Sequence, residues 1–282
     1  MRYARLALLF AAVAILLAGS GRRHITFADP PPMFGDGSDG AITFSSNTEF
    51  NPPVDAVVNS GSAGGTALTV SSASGVFQPG QRILIHQTRG TGAGDWELNT
   101  LQSYALGNIV SVDALSHTYS TSGASAAQVL VVPEYTDVTV DPGVTVSAKP
   151  WDGAKGGIVA FFANGTVTVD GTISADGQGF RGGAEGQDDA GWTGEGTGAP
   201  STIYPQPQGM DPPGNGGGFH HVCSAGGGHA TTIFGCEGTV GSASGTADLT
   251  VMTFGGAGAG GASNNSPDGV GGRGGGAIPV WF

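Results

Sequence analysis

Several side chains in this sequence stand at spacings that could do chemistry. Asp141, Asp152, Asp170 and Asp176 could supply paired carboxylates for attack on a glycosidic bond. Each is followed by Gly or Pro, where Asp hydrogen bonds its own backbone, so turn chemistry accounts for them first. The cations near them, Lys149, Lys155 and Arg181, are scattered along the chain. Asp95-Trp96-Glu97 and Trp151-Asp152 each put an aromatic face beside acids, the make-up of a sugar platform, and these five residues are the candidate ligand-binding set. The alternative is that each Trp covers a sheet edge at a loop.

Metal chemistry has two candidate sets. Asp36 and Asp39, in a Gly-rich turn, have acid spacing like that of a calcium loop but lack its distal Glu. His220, His221 and His229 offer zinc-type ligands near Cys223 and Cys236, without a C-x-x-C pair. With 12 residues between them, the two cysteines read as a disulfide in an oxidising compartment, worth about 3 kcal/mol in the chain-entropy model. No Gly-x-Ser-x-Gly elbow occurs, and the glycine run at 255–261 lacks the helix and acid of a dinucleotide site. No catalytic set emerges and no cofactor is expected, with calcium as the alternative.

Charge narrows the partners. The 282 residues include 10 basic and 22 acidic ones, a net charge of −12. Residues 1–28 read as a secretory leader and the start of a linker: Arg2 and Arg5 precede an apolar core from Leu6 to Ala18, short of the ~20 residues a membrane span needs. Its loss would remove four arginines and no acid, leaving 6 basic residues against 22 acids, a net −16. Such a chain repels nucleic acid and anionic lipid. The expected location is therefore extracellular, secreted or on the cell surface, with no membrane span in the mature chain.

The elements that must position these residues are strands. Short β-type runs bounded by turn residues recur at 56–58, 67–70, 82–86, 108–112 and 128–132, and no mature segment keeps a helical period. Val138-Thr139-Val140-Asp141 returns as Val167-Thr168-Val169-Asp170, 29 residues on. Repeated short strands with Gly corners predict a chain coiling on itself as a solenoid. From Gly177 to Gly276, 32 of 100 residues are Gly, too many for a conventional core or a helix. That stretch reads either as a mobile loop or as a bundle of close-packed polyproline-II helices hydrogen bonded to one another. Gly275-Gly276-Ala277-Ile278 echoes Gly156-Gly157-Ile158-Val159, so residues 277–282 are expected to return beside 157–162.

Two stretches carry a resemblance. Phe77-Gln78-Pro79-Gly80-Gln81, leading into Arg82-Ile83-Leu84-Ile85, resembles the entry of β units at the N-terminal end of parallel β-helices, with Gln81 in the place of an Asp. Residues 164–177, followed by Gly179-Phe180-Arg181-Gly182-Gly183, resemble a group of exported bacterial Gly-rich proteins. The resemblance implies an all-β fold: a parallel β-helix, or β-solenoid, with an N-terminal β capping unit and a Gly-rich, partly irregular lobe. The boundaries expected are 29–135 for the β unit and first coils, 136–178 for the core coils, 179–276 for the Gly-rich insertion and 277–282 for the returning strand. The function expected is a secreted or cell-surface structural, adhesive protein without catalysis, partnered by cell-surface polysaccharide or other surface proteins. The alternatives are a polysaccharide lyase or hydrolase on a β-helix, and a calcium-dependent binding module.

Overall fold

The computed structural model describes residues 33–184, 186–187, 192–198, 216–217, 227–228, 240–246, 248–260, 262–263 and 273–282. The expected leader, the three candidate histidines His220, His221 and His229, and the expected Cys223–Cys236 disulfide lie outside them. All regular structure among the described residues is β.

Three short sheets are parallel, each three strands wide. In the first, Val138–Val140 lies between Ile42–Phe44 and Val167–Val169. In the second, Thr145–Ala148 lies between Thr48–Phe50 and Thr172–Ser174. In the third, Phe161–Ala163 lies between Glu134–Tyr135 and Val280–Trp281, and Ala277 also bridges Ile158. The repeated quartets pair in register, Val138 with Val167 and Val140 with Val169. Side-chain alternation sends Val138, Val140, Val146 and Ala148 inward to meet Phe44, Phe50 and Phe161, and Thr139 and Thr145 outward. Gly143, at φ +75°, turns the corner between the first two sheets, a conformation that residues with a Cβ resist.

The strands between 55 and 131 pair differently. Asp55–Gly61, Ala67–Ser71, Asn108–Ser111, Trp96–Ala105, Arg82–Arg89 and Ala126–Val131 run antiparallel in that spatial order. Asp55–Gly61 pairs with both Ala67–Ser71 and Ala126–Val131, so the ring closes as a six-stranded barrel without free edges. Tyr119–Ser120 pairs with the end of Asp55–Gly61 and puts Tyr119 into the barrel core. Parallel pairings within 29–135 are thus confined to 42–50 and 134–135. Local turns decide this: Leu106-Gly107, both at positive φ, joins two strands as a two-residue hairpin, which only antiparallel neighbours can use.

Ile83, Ile85, Val129 and Val131 fill the barrel with Leu68, Phe77, Leu101 and Ile109. The opposite faces of the same two strands, through Leu84, Ala126 and Leu130, pack on Trp151, Ile158, Phe162, Phe180 and Phe254. Arg82–Arg89 is therefore covered on both faces, and His86, Gln87 and Thr88 are buried with it.

Apart from the parallel pair Gly186–Gln187 and Ala262–Ser263, the described Gly-rich segments hold extended chains together outside any sheet. Gly179 N–H donates to the Gly274 carbonyl at 2.8 Å, Gly183 to Gly258 at 2.9 Å and Gly194 to Gly217 at 3.0 Å. A Cβ on Gly194 would run into the Ala257 carbonyl. These backbones lie closer than chains with side chains can approach, which accounts for the composition of the segment.

Candidate functional site

One cavity gathers three acids and an arginine, Asp36, Asp39, Glu134 and Arg82. Gly35, Gly37 and Gly40, all at positive φ, fold residues 35–40 into a turn against the strand Glu134–Tyr135. Asp39 N–H donates to the Glu134 carbonyl at 2.9 Å, and Glu134 N–H donates to Asp39 Oδ2 at 2.7 Å. Asp36 N–H donates to Glu134 Oε2 at 3.2 Å, and Ser38 N–H to Asp36 Oδ1 at 2.8 Å. Arg82 enters from the barrel wall, its guanidinium carbon 4.9 Å from the centre of the Phe162 ring. The cavity between them is about 270 Å³ and is walled by Pro53, Pro79, Val131 and Val132.

The electrostatics are unbalanced. Glu134 is only 8% exposed, and its Oε1 receives nothing from an N–H or hydroxyl. Arg82 Nε and Nη1 are buried and have no acceptor. Burial first, then the hydrogen bond shared with the Asp36 carboxyl, pushes Glu134 up to about 7, with Arg82 pulling weakly the other way. Asp36 is held below its ordinary value, chiefly by that same hydrogen bond and by Ser38. At neutral pH the pair therefore shares a proton, beside a guanidinium still short of acceptors. Beside these closed-off groups the cavity opens onto Asp36, Ser38 and Asp39, whose exposed oxygens can meet a ligand.

Asp36 and Asp39, the calcium candidates, thus stand with Glu134 and Arg82. Each has one carboxylate oxygen already occupied by a backbone N–H, and a cation shares the cavity. Among the described residues no three His, Cys, Asp or Glu side chains are grouped as a metal site.

Asp95, Trp96 and Glu97 open the strand Trp96–Ala105. Trp96 donates from Nε1 to the Leu249 carbonyl at 2.8 Å, and its ring centre lies 6.1 Å from that of Trp281. Trp281 stacks on Phe162 at 4.7 Å, so an aromatic ladder runs from Trp96 to the ring beneath Arg82. Asp95 Oδ2 is 3.5 Å from His117 Nδ1, and Glu97 Oε2 accepts from Ser116 N–H at 2.9 Å. Burial and the neighbouring Glu97 carboxylate push the Tyr119 phenol far up.

The remaining pair divides. Trp151 is 1% exposed, its ring set edge-on to Phe180 and Phe254, so its face is core and not a platform. Its Nε1–H donates to Glu195 Oε2 at 3.1 Å. Asp152 is exposed and accepts from the N–H groups of Ala154 and Lys155, which is turn chemistry. The residues sequence reasoning passed over are Arg82 and Glu134. Their available signal was position: each is a lone charge at the end of a run of apolar strand residues.

A larger cavity, about 410 Å³, lies between residues 243–253 and 276–279. It is lined by hydroxyls and apolar groups, with no ionisable side chain, and so offers less for chemistry. No helix of the described residues is long and apolar enough to cross a membrane.

No family model matches the chain, and no curated protein does. Two solved structures are similar over part of it. The tailspike protein gp49 from Pseudomonas phage LKA1 is 15% identical at a TM-score of 0.25, over 46% of this chain and 24% of that one. The Gp54 tailspike of Acinetobacter baumannii bacteriophage AP22, in complex with A. baumannii capsular saccharide, is 10% identical at 0.27, over 48% and 27%. This chain spans about a quarter of each tailspike, and at these scores neither says what it does.

Proposed function

We propose that this is a secreted or cell-surface structural and adhesive protein that holds polysaccharide without cutting it. Its stalk is a β-solenoid whose coils begin at residues 42, 134 and 161, with the strand at 277–282 starting a fourth; the barrel and the Gly-rich lobe are excursions from it. The in-register parallel stacking of 42–44, 138–140 and 167–169 supports the stalk. The basic start and apolar core at 2–18, and the resemblance to exported Gly-rich proteins, support export.

The observation that carries the non-catalytic reading is the hydrogen bond that ties Asp36 to Glu134, its N–H donating to Glu134 Oε2 at 3.2 Å. Glycosidases hold their two carboxyls roughly 5–5.5 Å apart when retaining and 6.5–9.5 Å apart when inverting. Two acids that share a hydrogen bond leave no space between them for a glycosidic oxygen or a water. They form one proton-sharing unit that can hold a hydroxyl.

Arg82 beside this pair favours a second reading, a polysaccharide lyase, because elimination needs a base next to a cation that neutralises a uronate. One experiment separates them. The protein is incubated with polygalacturonate and with neutral glycans, followed for unsaturated uronate and new reducing ends, then assayed for retention on the immobilised polymers. Retention without product is expected; accumulation of either product overturns the adhesive reading.

A further inference from the structure

We infer that the cavity between Asp36, Asp39, Arg82 and Glu134 is a recognition site for one neutral saccharide unit, bound through a vicinal pair of hydroxyls. The inference rests on the proposed saccharide-holding function and names its ligand class. A sugar hydroxyl both donates and accepts, and a neighbouring pair can accept from a guanidinium while donating to a carboxylate. The cavity offers both halves of that exchange. Arg82 lines the cavity with a guanidinium whose Nε and Nη1 are closed off in the wall, while Asp36 and Asp39 are exposed carboxylates each bonded through a backbone N–H on one oxygen.

Size and wall chemistry agree with one ring. About 270 Å³ falls just under the roughly 300 Å³ at which small-ligand pockets begin, room for a single ring and no more. Pro53, Pro79, Val131 and Val132 give the C–H face of a sugar an apolar surface. Charge selects against acidic sugars. Asp36 and Asp39 outweigh the one charge of Arg82 whichever state Glu134 takes, and the whole chain is at −12. A uronate or sulfated unit would add a negative charge against that balance, whereas a neutral ring supplies hydrogen bonds without it.

The test measures binding of the full chain to a panel of neutral glycans (dextran, mannan and galactan) and to polygalacturonate. Arg82→Met retains the stem over Phe162 and removes the donors; Asp36→Asn alters an exposed acid and serves if the first variant fails to fold. The expected result is binding to at least one neutral glycan, weakened roughly tenfold or more in either folded variant. Preference for polygalacturonate, strengthened by Asp36→Asn, overturns the ligand class and leaves the saccharide-holding function intact. Neutral-glycan binding that both variants leave unchanged overturns the site alone. Failure to bind any of the polymers overturns the inference and the function together.

Discussion

Two buried glutamates in this molecule have opposite surroundings. Glu195, in the Gly-rich segment, is fully buried, and its carboxylate is saturated by Arg89 Nη1, by Trp151 Nε1–H at 3.1 Å and by the backbone N–H and Nε of Arg181, both at 3.0 Å. Glu134 is nearly as buried but meets one backbone N–H, one acid and no direct guanidinium hydrogen bond. The first arrangement ties the segment around Glu195 to the barrel strand that carries Arg89 and leaves nothing for a ligand. The second keeps donors and acceptors unsatisfied beside a cavity. Saturation, more than burial, separates a charge locked into the fold from one that is not.

The largest effect should come from cutting the saturated site. Glu195→Ala strands the buried Arg89 guanidinium and is expected to cost about 3–5 kcal/mol in urea unfolding. A loss below about 1 kcal/mol would mean that the knot is not what holds the segment. Next comes its backbone neighbour: Gly194→Ala pushes a methyl into the Ala257 carbonyl and should cost about 1–3 kcal/mol in the same measurement.

A middling effect is a pair of opposed pH slopes. Glu134 has its carboxyl raised from 4.5 to about 7, so its contribution to stability falls as pH rises through that window. His86 is wholly buried, and burial lowers it from 6.5 to about 4; its contribution is complete above 6.5 and is lost as pH falls toward 4. The two oppose each other between pH 4.5 and 6.5. Melting temperatures of Glu134→Gln should therefore rise more steeply with pH than those of the parent, and those of His86→Gln should fall. Parallel profiles in all three proteins would refute the contrast. The smallest effect belongs to Arg82→Met, which removes donors that bond to nothing and should shift stability by less than about 1 kcal/mol, against a far larger loss for Arg89→Met.

Much of this was legible in sequence where neighbours in space share an environment. Val138–Asp141 and Val167–Asp170 look alike because they are parallel partners exposed to the same core on one side and solvent on the other. The barrel was harder to see. Its central strand, Ile83 to Arg89, is buried on both faces and shows no alternation from which to infer a partner. Arg82 and Glu134 are 52 positions apart and meet only because the barrel delivers the start of one strand to the edge of another sheet. Glu195 sits in low-complexity sequence, where one acid among glycines carries no pattern. Trp151 was read by its neighbour Asp152, but adjacent residues of an extended chain face opposite ways, and the ring went inward.

The barrel's position between paired strands also sets an order of events. Ile42 must find Val138, 96 residues later, and closing so long a loop in an open chain is entropically costly. The barrel is built from nearer neighbours, and once formed it brings residues 50 and 134 within reach of one another, turning a distant search into a short one. Pulse-labelled hydrogen exchange during refolding should protect the amides of 82–89 before those of 138–140. The barrel then acts as the clasp that lets the parallel sheets find their partners.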